Sequence, residues 1–240
     1  MRVLAIGAHP DDIEFRMAGT LLKMKDRGDD IFLCIATNGN IGAYNRTKEE
    51  IAAVRRVEAH KAAELLGAQL MMLDEDDEFL FDDKATRLKF IEAVRFARPD
   101  VIFVHPPFMD YNQDHDITGY MTFEARVLAT VKLIETASPV VDHIPPMFYC
   151  TPHGLSDKYH PQYFVDITDT FDRKLQMFLC HASQQGDWCK DAFGVDYAEG
   201  LERENLYYAS VCGTPKVKYV EAFSLCTNWP IIAGAHKLLP

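Results

Sequence analysis

The sequence lacks several features that mark common classes of protein. It contains no uninterrupted apolar run of about 18 residues, the length of a membrane helix, so we predict no membrane insertion. Its 6 cysteines include no CxxC pair, and we expect reduced core thiols rather than a disulfide framework. The first residues carry no apolar signal-peptide segment followed by a cleavage site, and we therefore expect a cytoplasmic protein.

Basic residues are also scarce relative to acidic ones. Lysine and arginine total 25 against 36 aspartates and glutamates, which gives a formal net charge of -11. Nucleic acids and anionic membranes attract lysine and arginine, so neither is an expected partner. A neutral or cationic small molecule is compatible with this charge. The length of 240 residues and the 48% hydrophobic content predict one domain, residues 1–240, with a sizeable core.

Apolar runs typical of strands alternate along the chain with segments of helical spacing. The predicted strands are residues 2–7, 30–36, 69–73, 101–104, 148–150 and 163–167, and the predicted helices are residues 18–25, 47–66, 84–97, 118–130 and 168–179. Thr47 and Glu50 form a capping-box pattern at the start of the second helix, and Gly67 ends it. The alternation predicts an α/β fold, with a Rossmann-like, mostly parallel sheet, helices on both faces and a less regular C-terminal part.

Two groups of histidine and aspartate follow predicted strands. His9, Asp11 and Asp12 come directly after the first strand, and Asp114 and His115 come after the fourth. Parallel strands end at one edge of a sheet, so both groups can face one crevice. His9, Asp12 and His115 would supply three metal ligands and leave a position for water, with Asp11 as a free base. The alternative is that the aspartates only cap helices and His115 lies in a first turn.

Other polar residues also have both a functional and a structural interpretation. The acidic run Asp74–Glu78 is interpreted as a solvated loop rather than a cation site. His105 and His153 follow predicted strands and either line the pocket or form ordinary hydrogen bonds, which is the favoured interpretation. Arg55 is interpreted as a surface helix residue paired with Glu58 or another nearby acid.

Several motifs occur in the order typical of a known family. They are AHPDDIEF at residues 8–15, AGTL at 18–21, DYNQDH at 110–115 and HASQ at 181–184. Together they resemble the LmbE-like (PIG-L) N-acetylglucosaminyl deacetylase family, whose usual patterns are AHPDD-x-E, GGT and HPDH. The resemblance implies zinc ligands at His9, Asp12 and His115 and a general base at Asp11. It also implies a substrate contact at Arg55 and a closing strand at residues 219–223.

The sequence departs from the family pattern at a position that bears on mechanism. Asn112 stands where the family usually has the first histidine of HPDH, and Asp114 matches the carboxylate that orients that histidine. In the family, that histidine and the carboxylate that orients it aid the transition state or the leaving amine. In this sequence Asn112 and Asp114 occupy their positions, and His153 is a further candidate for this support. Asparagine cannot deliver a proton near pH 7, so the acid is unassigned unless Asp11 does both jobs. Arg16 stands where the family often has glycine.

These observations predict a zinc-dependent hydrolase that removes an N-acetyl group from an amino-sugar-containing small molecule or glycoside. Zn2+ is the expected cofactor, with another divalent metal such as Fe2+ as an alternative. A metal-bound water would be the nucleophile and Asp11 the base. A non-catalytic, metal-stabilised sugar-binding protein is the alternative function. A nucleotide-binding oxidoreductase is disfavoured because Gly7-Ala8-His9 lacks a glycine-rich phosphate turn.

The second half of the chain has a less regular pattern than the first. Residues 139–161 are predicted to loop over the crevice. Within residues 184–198, Trp188 and Phe193 are candidates to stack on a sugar face. The tail, residues 228–240, fits a subunit contact in a homo-oligomer or a packed chain end equally well.

Overall fold

A seven-stranded sheet forms the centre of the protein. The strands are β1 (Arg2–Gly7), β2 (Asp30–Thr37), β3 (Gln69–Glu75), β4 (Val101–Val104), β5 (Met147–Tyr149), β6 (Tyr163–Asp166) and β7 (Val220–Leu225). The computed structural model describes residues 1–153, 157–185, 189–190, 194, 196–230 and 232–240. Across those residues the sheet order is β3-β2-β1-β4-β5-β7-β6, and β7 alone runs opposite to the other strands of the sheet. The predicted mostly parallel sheet is therefore confirmed.

The helices alternate with the parallel strands. They are α1 (Asp12–Arg16), α2 (Ala18–Asp26), α3 (Lys48–Leu66), α4 (Lys84–Ala97), α5 (Gln113–Leu128), α6 (Phe171–Phe178) and α7 (Tyr197–Cys212), with 3-10 turns at Ala182–Gln184 and Ala235–Leu238. The sequence does not predict α1, which is too short to show a periodic pattern, nor α7. The predicted start of α5 at Thr118 is wrong, because the Asn112 side chain caps the helix a turn earlier.

Both faces of the sheet are buried beneath helices. Val3 and Ala5 of β1 pack on one side with residues of α1, α2, α3, α6 and α7. Leu4 and Ile6 pack on the other side with residues of α4 and α5. Successive strand side chains point to opposite faces, so a strand buried on both sides must be apolar throughout, as this one is. The prediction of helices on both faces is confirmed.

The ends of α3 follow the sequence pattern. The Thr47 hydroxyl accepts a hydrogen bond from the Glu50 N–H at 3.2 Å, and the Glu50 carboxylate accepts one from the Thr47 N–H at 2.9 Å. Gly67 ends the helix in the left-handed conformation, with φ of 67°. The capping box and the glycine stop are therefore confirmed. These ends fix the register of α3, which carries Arg55 toward the carboxyl edge of the sheet.

A close helix contact at Gly119 brings the second polar group into place. A Cβ atom at this position of α5 would lie 2.4 Å from the His105 carbonyl oxygen. Only glycine permits this approach of the helix to the loop that follows β4. The contact places the first turn of α5, which carries His115, against the loop that carries His105.

Other expectations about the chain as a whole can be compared with the structure. None of the described helices has both the length and the apolar character needed to cross a membrane. All 6 cysteines are free thiols. In the tail, Ala235 is buried in the core, while Trp229 is 71% exposed. Part of the tail therefore packs on its own chain.

A buried ion pair joins α6 to β7. The Lys174 ammonium donates to the Glu221 carboxylate at 2.6 Å and to the Asn205 side-chain oxygen at 3.1 Å, and both charged side chains are essentially inaccessible. We expect Lys174→Met to lower the free energy of unfolding by about 3–5 kcal/mol, because it leaves the buried Glu221 carboxylate without a positive partner. Urea unfolding at neutral pH measures the change. The double variant with Glu221→Gln should lose less than the sum of the single losses, and an unchanged Lys174→Met variant would contradict the prediction.

Candidate metal centre and pocket

Three predicted ligands converge at the carboxyl edge of the sheet. His9 follows β1, Asp12 opens α1 and His115 lies in the first turn of α5, and all three are buried. His9 Nδ1 lies 3.2 Å from His115 Nε2, and His115 Nε2 lies 3.3 Å from Asp12 Oδ1. The third separation, His9 Nδ1 to Asp12 Oδ2, is 3.5 Å. The structure thus brings together residues that are more than 100 positions apart in the sequence.

These separations fit the coordination of a divalent cation. Nitrogen and oxygen ligands that each lie about 2.0–2.1 Å from a tetrahedral zinc ion are about 3.3 Å apart. Two other sets of side chains could also hold an ion, namely His105 with Asp110 and His115, and His9 with Asp77 and Asp114. Each of these sets shares a histidine with the first, so the three sets describe one centre and its surroundings.

The electrostatics of the centre favour positive charge. Burial opposes a charge on His9, yet the carboxylates of Asp114, Asp12 and Asp77 raise its pKa well above the usual value. Burial likewise opposes the charge on His115, but Asp12 and Asp110 raise its pKa to about 9. The carboxylates around the imidazoles therefore favour positive charge at the centre. A divalent ion would supply that charge, and the imidazoles would bind it in the deprotonated form.

Further carboxylates and a third histidine hold the ligands from behind. His115 Nδ1 lies 2.9 Å from Asp110 Oδ2, which leaves Nε2 facing the centre. His9 Nε2 lies 3.0 Å from Asp77 Oδ1, which leaves Nδ1 facing the centre. His105 is fully buried, lies 3.1 Å from Asp12 Oδ2 and stacks on His115 at a centroid distance of 4.2 Å. Such outer contacts fix the orientation of metal ligands.

Asp11 belongs to none of these ligand sets and lines the adjacent pocket. Its backbone φ of 129° is a strained value for a residue with a side chain, and it turns the chain between β1 and α1. Arg55 Nη2 donates to Asp11 Oδ2 at 3.1 Å and to the Pro10 carbonyl at 2.6 Å. Burial raises the pKa of Asp11 to about 6, although the charge of Arg55 opposes this rise. The carboxylate is thus oriented but left outside the triangle of ligands.

The interpretation of Arg55 as a surface helix residue is wrong, and of its expected acidic partners, Glu58 or another nearby acid, the structure shows Asp11 rather than Glu58. Arg55 is 4% exposed and contacts Asp11, whereas the Glu58 carboxylate accepts hydrogen bonds from the Ser183 N–H and hydroxyl. Gly39 makes room for the guanidinium, because a Cβ there would lie 2.6 Å from Arg55. The glycine also has a positive φ of 67°, which it adopts without strain.

The interpretation of the acidic run as a solvated loop is also wrong in part. Asp77 is 5% exposed and lies beside His9 and, at 3.8 Å, beside Arg55 Nη1. Asp114 folds this loop onto the centre, because its carboxylate accepts hydrogen bonds from the N–H groups of Glu78 and Leu80. The run begins in the last two residues of β3 and continues beyond its carboxyl end, so the edge rule that selected the other two loops would have selected this one.

Asn112, rather than Asp114, caps α5. Its side-chain oxygen accepts hydrogen bonds from the N–H groups of Asp114 at 2.8 Å and His115 at 3.4 Å. Its side-chain nitrogen donates to Glu78 Oε1 at 2.7 Å. The amide that replaces the histidine of the family pattern is therefore engaged at both ends, and it joins the helix cap to the acidic loop.

A pocket of about 440 Å³ opens over the centre. Its described lining residues are His9, Asp11, Asp12, Ile41, Gly42, Arg55, Asp77, Glu78, Tyr111, Asn112, His115, His153, Gln184, Cys189 and Tyr197. Of the predicted covering segment, residues 139–161, His153 reaches this lining, and burial lowers its pKa to about 4. Trp188 and Phe193 lie outside the described residues. Arg16 does not line the pocket, since it is buried in an ion pair with Glu204.

Residues 4–126 match the family described as PIG-L, GlcNAc-PI de-N-acetylase. This match covers half of the chain and contains His9, Asp12 and His115. The chain belongs to the PIG-L family. The resemblance found in the sequence motifs is therefore confirmed.

Individual proteins similar to this PIG-L chain catalyse two kinds of reaction. Diacetylchitobiose deacetylase of Thermococcus kodakarensis is 29% identical over 217 residues, which cover 88% of this chain and 79% of that protein. 4-Oxalmesaconate hydratase of Pseudomonas putida is 27% identical over 193 residues, which cover 77% and 74%. The structure of N,N'-diacetylchitobiose deacetylase from Pyrococcus horikoshii has a TM-score of 0.80 at 26% identity and covers 93% and 83%. Family membership thus leaves the reaction to be inferred from the site.

Proposed function

We propose that this protein is a metal-dependent deacetylase that removes an N-acetyl group from an amino-sugar-containing small molecule. The observation that carries the proposal is the convergence of His9, Asp12 and His115, with the separate carboxylate of Asp11 in the same pocket. Metal-assisted amide hydrolysis uses this division between groups that hold a Lewis acid and a group that moves a proton. The similarity to two diacetylchitobiose deacetylases supports an acetylated amino sugar as substrate.

His9 Nδ1, the Asp12 carboxylate and His115 Nε2 would hold the ion. Zn2+ is the first candidate, and Fe2+ is the second, because imidazole and carboxylate ligands suit both. A divalent ion held there supplies Lewis-acid chemistry, polarising the acetyl carbonyl and lowering the pKa of water. Asp110 and Asp77 keep the imidazoles turned toward the centre through the opposite ring nitrogens.

Asp11 moves the proton in this proposal. It accepts a proton from the attacking water as the new C–O bond forms, while Arg55 holds its Oδ2 oxygen in place. Asn112 cannot provide the proton that the leaving nitrogen needs, because its amide is engaged by α5 and Glu78. Asp11 therefore returns the same proton to the nitrogen as the C–N bond breaks. The products are a free amine and acetic acid, which releases its remaining proton to solvent or to the amine to give acetate, and the Asp11 carboxylate is regenerated.

Acetate release tests the proposed function directly. We expect the metal-loaded protein to release acetate from at least one member of a panel of N-acetylated sugars, glycosides and aminoglycosides. Dialysis against a chelator should abolish the release, and added Zn2+ or Fe2+ should restore it. Sugar binding without acetate release across the panel would instead support the non-catalytic alternative. Consumption of 4-oxalmesaconate without any deacetylation would assign the chain to the reaction of its hydratase relative.

A further inference from the structure

Glu78 and Tyr111 both line the pocket, and the proposed reaction uses neither. Both residues are exposed, and the exposed fraction of Tyr111 is 71%. Their loops come from different strands, since Glu78 follows β3 and Tyr111 follows β4. An exposed carboxylate and an exposed aromatic ring therefore both line the pocket, into which the part of a substrate beyond its acetamide must extend.

The Glu78 side chain is held in place by the surrounding structure. Its N–H donates to Asp114 Oδ2 at 2.8 Å, and its Oε1 oxygen accepts from the Asn112 amide at 2.7 Å. Its backbone has a φ of 63°, a conformation that a glutamate adopts only when its contacts hold it there. No hydrogen bond from a described residue reaches its other carboxylate oxygen. As far as the described residues are concerned, a donor on a ligand in the pocket is the partner that this oxygen lacks.

The Tyr111 ring is also supported on one side. It meets His153 edge to face, at a centroid distance of 5.2 Å and an interplanar angle of 79°. Burial raises the pKa of its phenol, and the negative charges of Asp110 and Glu78 raise it further. The negative charge of Glu78 therefore acts on the phenol of Tyr111.

The charges around the pocket favour a cationic ligand. The described lining residues include the carboxylates of Asp11, Asp12, Asp77 and Glu78. The proposed ion would neutralise Asp12, and the one arginine or lysine among these lining residues is Arg55. That guanidinium already faces Asp11 at 3.1 Å and Asp77 at 3.8 Å. A carboxylate on the substrate would therefore meet Glu78 with no free cation beside it, whereas an ammonium group would find an acceptor and an aromatic face.

We propose that Glu78 and Tyr111 form an ammonium subsite, which selects N-acetylated amino sugars that also carry a free amine on a neighbouring ring. The proposal rests on the proposed function, because it assigns the acetamide end of such a substrate to the metal centre. Partly deacetylated chitooligosaccharides and partly acetylated aminoglycosides share this chemistry. Substrates with a carboxylate at the same place are disfavoured.

A comparison of kcat/KM across matched substrates tests the subsite. The set contains diacetylchitobiose, chitobiose with one acetamide and one free amine, a mono-N-acetylated aminoglycoside, and an N-acetylglucosamine glycoside of a hydroxy acid. We expect kcat/KM for an amine-bearing member to exceed that for the acid by about tenfold at low salt, with a smaller ratio at high salt. An acid hydrolysed as fast as the amine-bearing members would overturn the proposal, while acetate release would still uphold the deacetylase function.

Substitutions at the two positions make the test specific. Glu78→Gln should reduce the ratio between amine-bearing and acidic substrates to within about twofold, whereas Glu199→Gln, the same charge change on exposed α7, should leave it unchanged. Tyr111→Phe should keep the preference, and Tyr111→Leu should lower it roughly two- to fivefold. Calorimetry with fully deacetylated chitobiose gives a readout that needs no turnover. Binding of this diamine that Glu78→Gln leaves unchanged would refute the subsite whatever the protein hydrolyses.

Discussion

Asp11→Asn should keep its metal and lose turnover by a factor of about 10²–10⁴, the usual contribution of a positioned general base. The carboxamide has nearly the shape of the carboxylate, and its oxygen can still accept the hydrogen bond from Arg55. It cannot take up a proton from water, and it cannot return one to the leaving nitrogen. The measurement is kcat for acetate release, with metal content determined by plasma emission on the same sample.

The neighbouring residue provides the matched control for this experiment. Asp12→Asn changes the adjacent side chain in the same way, but its carboxylate faces His9 and His115. We expect this variant to lose metal, whereas Asp11→Asn should not. The same substitution at two adjacent aspartates would then remove the metal in one variant and leave it in the other. A structural role shared by both residues does not produce this difference. An Asp11→Asn variant with wild-type kcat would remove Asp11 from the mechanism.

The sequence predicts those elements whose environment is uniform along their length. β1, β4 and α4 have the predicted bounds, because each strand is buried on both faces and the helix has a continuous apolar stripe. The start of α5 is different. Its cap, Asn112, lies in a run of polar residues where several side chains can accept the first helical N–H groups. Sequence alone does not rank these acceptors, since the choice also depends on Glu78 from another loop.

Within the site, the three proposed metal ligands are predictable from the sequence, whereas the contacts of Arg55 and Asp77 are not. His9, Asp12 and His115 follow from one rule, that the ends of parallel strands share an edge, and the structure places them together. Arg55 and Asp77 enter the site through contacts between distant segments. Arg55 reaches the centre because its position on α3 places the guanidinium at the Pro10 carbonyl. Asp77 is buried because Asp114 binds the N–H group of the next residue, Glu78, and so holds this loop against the centre. The edge rule selects the loop that carries Asp77, but a local sequence pattern carries no record of the contacts that bury Asp77 and orient Arg55.

His115→Ala should abolish stoichiometric metal binding, and acetate release should fall to background with it. The alanine removes one of three ligands, the one fixed by Asp110 at 2.9 Å, and the remaining His9 and Asp12 cannot complete the triangle. Plasma emission analysis measures the metal content. Thermal unfolding with and without Zn2+ gives an independent readout, because a metal that binds only the native state raises Tm and the variant should show no such shift.

His105→Asn is the comparison that gives the His115 result its meaning. His105 lies 3.1 Å from Asp12 and stacks on His115, but it is fully buried and does not line the pocket. As a supporting residue it should change metal affinity by about 10–100-fold without changing the stoichiometry at saturating metal. Higher Zn2+ concentrations should therefore restore the metal content of His105→Asn. They should not restore the metal content of His115→Ala. Full metal content in His115→Ala would mean that His9 and Asp12 hold the ion with a different third ligand.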